Sequence, residues 1–187
     1  PVLSRLIERL RVAGGRLGPI LVATTDRPVD DPLDAWGEAE GIPVIRHASP
    51  VDDVAGRFAA VARSHGLQWA ARVNGDSPLV DARMLIRGLE RAIDHAQPPV
   101  DLVSNLVPRR HPYGMAVEWI RTDALGELLP TFSAAEREHV TSGLYATLER
   151  SRIAGLDGGD PAWADVRTVV DTAEDLERLR RFVADHG

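Results

Sequence analysis

Two carboxylates, each directly after an apolar segment, are the residues of this chain that could do chemistry. Asp76 follows the strand-like run 69–73, and Asp171 follows the strand-like run 166–170. Ligands of open α/β sheets bind at the carboxyl ends of the strands, which is where both carboxylates would lie. One or two carboxylates together with phosphate oxygens are a typical set of Mg²⁺ ligands. Asp76 and Asp171 are therefore predicted to approach each other at one edge of the sheet as a catalytic, metal-binding pair in a nucleotide site.

Each half of this pair also has a purely structural interpretation. Asn74-Gly75-Asp76 consists of residue types that favour turns, so it could simply end a strand. Asp171 could belong to a helix cap, although Thr172 already fits the N-cap position and Asp175 is predicted to take part in the cap. The occurrence of both carboxylates after apolar runs favours the metal site.

Bulk properties exclude several classes of function. The chain has 187 residues, which suits one domain with a substantial core. Its net charge is −6 without a basic run, which argues against duplex nucleic acid as a partner. The absence of cysteine excludes disulfides and Cys-ligated zinc. No apolar run approaches the roughly 20 residues of a membrane span, and no signal peptide is visible, so a cytoplasmic enzyme is expected.

Helical and strand-like segments alternate up to residue 96, which predicts an α/β fold with a mostly parallel sheet and helices on both faces. The rhythm changes after Gln97-Pro98-Pro99, and residues 98–165 are an elaborated segment of the single domain 1–187. The chain opens in a helical pattern, whereas an α/β domain usually opens with a strand. We therefore expect that another segment precedes residue 1 and that the sheet lacks a central strand. The predicted strands are 19–25, 42–46, 69–73, 102–106, 115–120, 153–156 and 166–170.

Helix starts are marked by residues that cap free backbone N–H groups. The predicted starts are Asp31-Pro32, Ser49-Pro50-x-Asp52, Asp81, the capping box Ser133-x-x-Glu136, and Thr172-x-x-Asp175.

Several further polar residues could serve a site or merely the structure. Arg57 could pair with an acid one turn away, or it could face a phosphate or carboxylate of a substrate. The basic loop Arg109-Arg110-His111 could attract an anion, but it could also be solvated loop charge. Asn105 and Glu118 lie in strand patterns, where polar residues usually face water, and His139 on a helix could be a packed or surface residue.

Eight segments spread over nearly the whole chain match one family in order and with similar gaps. The chain resembles the cytidylyltransferases related to spore-coat polysaccharide biosynthesis proteins, relatives of the acylneuraminate and Kdo cytidylyltransferases. The matching segments are Pro1-Val-Leu-x-x-Leu-Ile-Glu-Arg-Leu10, Val22-Ala-Thr-Thr25, Asp30-Asp31-Pro32, Asp52-Asp-Val-x-x-Arg-Phe58, Arg72-Val-Asn-Gly-Asp-Ser-Pro-Leu-Val-Asp81, Val103-Ser-Asn105, Arg137-Glu-His-Val-Thr141 and Val170-Asp-Thr-x-Glu-Asp-Leu176.

The resemblance implies a Rossmann-like nucleotide-diphospho-sugar transferase fold and transfer of a cytidylyl group from CTP with Mg²⁺. It implies that a small-molecule acceptor, a sugar acid or another small acid, is the second substrate, and that the enzyme is a homodimer. The implied catalytic residues are Asp76, Asp171 and Arg57, of which Asp76 and Asp171 bind the metal. The implied nucleotide-binding residues are Ala23, Thr24, Thr25, Asn74 and Gly75, and the implied acceptor-binding residues are Asn105, Glu118 and His139.

The chain departs from this family in two places. The family opens with a strand and a Gly/Arg/Lys-rich loop that grips the triphosphate, and this chain begins after that point. Relatives carry acids in the pattern Pro-Asp-Gly-x-Asp-Val-Glu, whereas Tyr113 and Ala116 replace both acids here. Loss of two negative charges predicts a more anionic acceptor, such as a small phosphonate or carboxylate, although drift in a surface loop would leave the same pattern.

Two other functions remain open at the level of sequence. A non-catalytic homologue could keep the fold as a binding or dimer-forming module. A glycosyltransferase of similar architecture is a third possibility, but such an enzyme would want an Asp-x-Asp metal motif, which the sequence lacks.

Overall fold

The computed structural model describes residues 1–94 and 96–186, whose strands fall into two separate sheets. A two-stranded sheet has the order β1-β2, and a four-stranded sheet has the order β3-β5-β4-β6. The strands are β1 (Val22–Thr25), β2 (Val44–His47), β3 (Trp69–Arg72), β4 (Leu102–Ser104), β5 (Glu118–Arg121) and β6 (Ile153–Gly155). The helices are α1 (Val2–Arg11), α2 (Pro32–Glu40), α3 (Val54–Ser64), α4 (Ala82–Ile93), α5 (Thr122–Leu128), α6 (Ala134–Glu138), α7 (Val140–Thr147) and α8 (Ala173–His186).

The four-stranded sheet carries most of the core. Strands β3, β4 and β6 share one direction, and β5 runs against them between β3 and β4. Successive residues of a strand point to opposite faces. Trp119 accordingly packs in the core cluster that contains Leu85 of α4, while Ile120 packs in the cluster that contains Leu125 and Leu144. The sheet therefore has an α4 face and an α5/α7 face, both covered.

The two-stranded sheet is separated from β3 by a cleft. β1 pairs with β2 in parallel, and the Val22 N–H donates to the Pro43 carbonyl, so Ala23 turns its backbone groups away from β2. On the other side, the Gln68 carbonyl accepts from Thr122, which leaves the backbone groups of Trp69 facing away from β5. Among the described residues no strand joins these edges, which confirms the interruption that the sequence predicts in the middle of the sheet.

The helix caps explain why the helices begin where they do. Asp81 accepts from the Arg83 N–H at the start of α4, and the capping box of Ser133 and Glu136 opens α6, as predicted. The Thr172 hydroxyl accepts from the Asp175 N–H at the start of α8, while the Asp175 carboxylate accepts from the Thr172 N–H. These three predicted caps are confirmed.

The start of α3 differs from the prediction. Its cap is Asp53, whose carboxylate accepts from the Gly56 N–H at 3.0 Å, and not the predicted Ser49-Pro50-x-Asp52 segment. A Cβ atom at Gly56 would lie 2.3 Å from that carboxylate, so the cap also requires the glycine.

The predicted strand over 166–170 is wrong. The hydrogen bonds of this segment go to two unconnected parts of the chain, so it forms only an isolated bridge, between Arg167 and Tyr113. Its amide at Thr168 donates to the Tyr113 carbonyl at 2.7 Å, and its amide at Val170 donates to the Asp76 carbonyl at 2.9 Å. The segment thereby ties the loop around Tyr113 to the loop after β3.

In the described part of the chain, no helix combines the length and the apolar character that a membrane span requires.

Candidate active site

The cleft between β1 and β3 opens into a cavity of about 580 Å³ whose rim is polar. Its inner wall is apolar and includes Leu6 and Ile7 of α1 and Trp69 of β3. Six residues predicted from the sequence for the nucleotide or the catalytic step lie on its wall. They are Ala23, Thr24, Arg57, Asn74, Gly75 and Asp76.

The two predicted metal ligands lie on neighbouring segments. The Val170 N–H donates to the Asp76 carbonyl, which places the residue before Asp171 against the backbone of Asp76. One carboxylate oxygen of Asp76 accepts from the Ser77 hydroxyl at 2.9 Å, and one of Asp171 accepts from Arg167 at 2.7 Å. Each carboxylate has a second oxygen. The prediction that both share one ion stays a prediction.

The donor set at this edge fits Mg²⁺. Both side chains offer hard carboxylate oxygens, which Mg²⁺ prefers. Among the described residues no group of three or more His, Cys, Asp or Glu side chains is placed to hold a metal ion. A Mg²⁺ ion at Asp76 and Asp171 would thus have to complete its coordination with water and substrate oxygens, which is the usual arrangement for Mg²⁺ in nucleotide sites.

Arg57 is buried, with 7% of its surface exposed, and holds the loop after β2. Its guanidinium donates to the Ser49 hydroxyl at 3.1 Å and to the Val51 carbonyl at 3.3 Å. The ion pair with an acid one turn away is not formed, since Asp53 pairs with Arg137 at 3.1 Å instead. Arg57 therefore fixes the rim of the cavity while lying on its wall.

The predicted threonines at the end of β1 are held by an acid that sequence reasoning missed. The hydroxyls of Thr24 and Thr25 both donate to the Asp30 carboxylate, the first at 2.8 Å. These hydrogen bonds, led by the one from Thr25, hold the pKa of Asp30 below its ordinary value. Asp30 thus holds the end of β1, where Thr24 lies on the cavity wall, whereas the predicted nucleotide residue Thr25 is buried outside that wall. Asp30 lies in the matched segment Asp30-Asp31-Pro32, which was the available signal.

The predicted acceptor residues on the sheet are buried, so their interpretation as water-facing residues is wrong. Glu118 is 3% exposed and accepts from the Tyr145 hydroxyl at 2.8 Å. The Tyr145 hydroxyl also lies 2.5 Å from the Ser104 hydroxyl. Burial and the charge of Glu118 raise the pKa of Tyr145, which keeps the phenol protonated as a donor. Tyr145 was missed from the sequence, although it follows the matched residue Thr141 by one helical turn.

Asn105 and His139 have different surroundings. Asn105 is 1% exposed, and its amide donates to the Met115 carbonyl at 2.8 Å and accepts from the Val117 N–H at 2.9 Å. Asn105 thus closes the loop 106–116 from inside. His139 is exposed at the start of α7.

The basic loop divides into buried and exposed parts. His111, predicted as solvated loop charge, is only 6% exposed, and burial lowers its pKa. Arg110 is exposed, as that interpretation predicts. Arg109 contacts Tyr113, with the guanidinium carbon 5.2 Å from the ring centroid.

Several solved structures share the fold of this chain. A cytidylyltransferase from Leptospira borgpetersenii serovar Hardjo-bovis is 23% identical over the whole of this chain and 76% of its own, with a TM-score of 0.88. CMP:2-keto-3-deoxy-manno-octonic acid synthetase, in complex with CTP, is 17% identical over the whole of this chain and 89% of its own, with a TM-score of 0.70. Rv0371c from Mycobacterium tuberculosis H37Rv, in complex with manganese, is 20% identical over 95% of this chain and 84% of its own, with a TM-score of 0.56.

No protein-family model and no curated protein matches the sequence. At these identities the likenesses establish the fold. The chain has the α/β fold of the cytidylyltransferases and related nucleotidyltransferases, so the predicted fold class is confirmed.

Proposed function

We propose that the protein is a Mg²⁺-dependent cytidylyltransferase of the spore-coat polysaccharide biosynthesis type. It would transfer a cytidylyl group from CTP to a sugar acid or another small acidic acceptor and release pyrophosphate. The observation that carries the proposal is the convergence of six predicted residues on one cavity wall, beside the bonded segments of Asp76 and Asp171. Two solved structures of the same fold support the choice, one of a cytidylyltransferase and one of a synthetase in complex with CTP.

The proposed reaction is an in-line displacement. An acceptor oxygen forms a bond to the α-phosphorus, and the bond from that phosphorus to the oxygen bridging the β-phosphate breaks. Pyrophosphate leaves with the electron pair, and the proton of a hydroxyl acceptor passes to solvent, whereas an oxyanion acceptor has none to lose. Mg²⁺ would neutralise phosphate charge, which leaves the side chains mainly to bind and orient.

The roles of the residues follow from their places around the cavity. Asp76 and Asp171 would hold the metal, and the strand end 23–25 with Asn74 and Gly75 would border the nucleotide. Arg57 would keep the loop after β2 in place and face the phosphates. Glu118, positioned by Tyr145, and His139 would lie on the acceptor side, with Asn105 setting the shape of its loop.

We also propose that the protein acts as a cytoplasmic homodimer.

The competing hypothesis is a non-catalytic module. The ion pair between Arg167 and Asp171 favours this hypothesis, because a carboxylate engaged by arginine is a weaker metal ligand.

The test is CTP binding and turnover in the protein and in Asp76→Asn. We expect calorimetric binding of CTP in the presence of Mg²⁺, and we expect Asp76→Asn to lower pyrophosphate release about 100-fold or more, since the metal charge acts on the transferring phosphate. The matched control is Asp26→Asn, an exposed acid in the loop after β1. A protein that fails to bind CTP with Mg²⁺ would be the non-catalytic module.

A further inference from the structure

Hydrogen bonds to the segment 166–168 hold the loop 106–116 at Tyr113. Two main-chain hydrogen bonds of 2.7 Å hold Tyr113 at both sides, one to the Val166 carbonyl and one from the Thr168 amide. The Thr168 hydroxyl donates to the same Tyr113 carbonyl at 3.1 Å. Gly114, with φ of 100°, lies so close to the Val169 nitrogen that a Cβ atom would come within 2.7 Å. The main chain of Tyr113 is therefore held against the segment that leads to Asp171.

Two guanidinium groups contact the aromatic ring of Tyr113. The guanidinium carbon of Arg167 is 4.8 Å from the ring centroid of Tyr113, and that of Arg109 is 5.2 Å away. The ring is 47% exposed. A tyrosine face attracts cations, so it can hold together two like charges that would otherwise repel each other. Two guanidinium groups on one partly exposed ring are a favourable receptor for an oxyanion, because each group can donate two parallel hydrogen bonds.

The cluster of Arg109, Tyr113 and Arg167 connects the two sides of the candidate active site. Arg167 donates to Asp171, the predicted metal ligand, in an ion pair whose side chains are both 49% exposed. Exposed ion pairs of this kind contribute little free energy, so Arg167 can exchange Asp171 for another anion. At the other end, Arg109 and Tyr113 belong to the loop 106–116, which Asn105 closes from inside through Met115 and Val117. The cluster thus joins the segment before Asp171 to the loop that precedes Glu118.

We propose that Arg109 and Arg167, positioned by Tyr113, bind the anionic group of the acceptor. The ligand is a small oxyanion, either a phosphonate or a carboxylate. That this oxyanion belongs to the acceptor rests on the proposed function. Tyr113 stands where relatives are expected to carry an acid, and an acid there would neutralise the guanidinium pair. CTP carries phosphates of similar chemistry. We assign the cluster to the acceptor because, in the described part of the chain, its three residues lie outside the cavity wall that gathers the nucleotide residues.

The first experiment measures oxyanion binding without turnover. Methylphosphonate is titrated into the protein and its variants, followed by ³¹P NMR, and acetate is titrated as the carboxylate arm. We expect Arg109→Gln, Arg167→Gln and Tyr113→Asp each to weaken binding about 10-fold or more, while Tyr113→Phe, which keeps the ring face, stays within about twofold. The matched control is Arg181→Gln, which removes an exposed arginine that pairs with Glu177 on α8. Equal binding in Arg167→Gln and Arg181→Gln, or no binding to the unchanged protein, would overturn the proposal.

The second experiment separates the acceptor from the nucleotide. With a small phosphonate as acceptor, we expect Arg109→Gln and Arg167→Gln to raise the KM for the acceptor about 10-fold and to leave the KM for CTP within about twofold. A rise in the KM for CTP alone would assign the cluster to the triphosphate and refute the proposal. If the unchanged protein turns over no CTP, the proposed function is refuted. The binding experiment would still decide whether the cluster binds an oxyanion.

Discussion

The two sheets of this protein are built from similar segments but differ in how completely they are packed. In the four-stranded sheet, Leu102, Val103 and Ile120 are fully buried, and helices cover both faces. In the two-stranded sheet, every residue of β2 is only half-buried, and one edge of β1 faces the cavity. The proposed acceptor side lies on the four-stranded sheet, where Glu118 is buried and hydrogen-bonded to Tyr145. The proposed nucleotide side lies on the two-stranded sheet, which fewer buried side chains hold in place.

The largest expected difference between the two sheets comes from truncating one isoleucine in each. Ile120→Ala should destabilise the protein by about 4 kcal/mol, because it leaves a cavity in a fully packed core. Ile45→Ala in β2 should cost only about 1 kcal/mol, since its side chain is already partly in water. Chemical denaturation of both variants measures the two values. Equal losses would show that the two sheets are one stability unit.

Local opening should separate the sheets without any substitution. We expect the free energy of the opening that exposes the amides of β1 and β2 to hydrogen exchange to be about 2 kcal/mol lower than for β4 and β5. The reason is that fewer buried contacts hold β1 and β2. Native-state hydrogen exchange followed by mass spectrometry measures this. An extended apolar segment seated between β1 and β3 should abolish the difference, because it would pair the two free edges. Identical protection in both sheets of the unmodified chain would contradict the comparison.

Removal of one hydroxyl tests how far the acceptor side depends on its buried hydrogen bonds. Tyr145→Phe should cost about 1–2 kcal/mol, because the buried carboxylate of Glu118 loses its donor. The matched control is Tyr113→Phe, whose exposed ring should keep its stability within about 0.5 kcal/mol. The midpoints of urea unfolding compare the two. A Tyr145→Phe variant as stable as the control would show that water replaces the hydroxyl.

The smallest expected effect is the acid sensitivity of α6, the helix before His139. Hydrogen bonds from the Ser133 hydroxyl and N–H lower the pKa of Glu136 below its ordinary 4.5. A lowered pKa in the folded state stabilises the protein above pH 4.5, and this contribution is lost as the pH falls through the lowered pKa. The stability difference between the unchanged protein and Glu136→Gln should therefore shrink from pH 6 to pH 3. Thermal unfolding against pH measures it, with Glu138→Gln, the replacement of an exposed acid on the same helix, as the matched control.

Local rules determined much of this protein from its sequence. Apolar runs located six of the strands, and capping residues located the starts of α4, α6 and α8, because both signals depend on neighbours within a few residues. The apolar run 69–73 also predicted that Asn74, Gly75 and Asp76 follow the end of β3.

The tertiary structure alone decided which polar residues are buried and which charges meet. A polar residue in a strand pattern gives the same periodicity whether its face meets water or a helix, so only the packing of α7 reveals that Glu118 lies under Tyr145. The segment 166–170 has the composition of a strand, yet its hydrogen bonds divide between Tyr113 and Asp76, and composition does not encode the partner. The contact of Arg109 with Arg167 through Tyr113 joins residues more than fifty positions apart. Such contacts depend on where distant segments cross in space, and the crossing is fixed only when the whole core is packed.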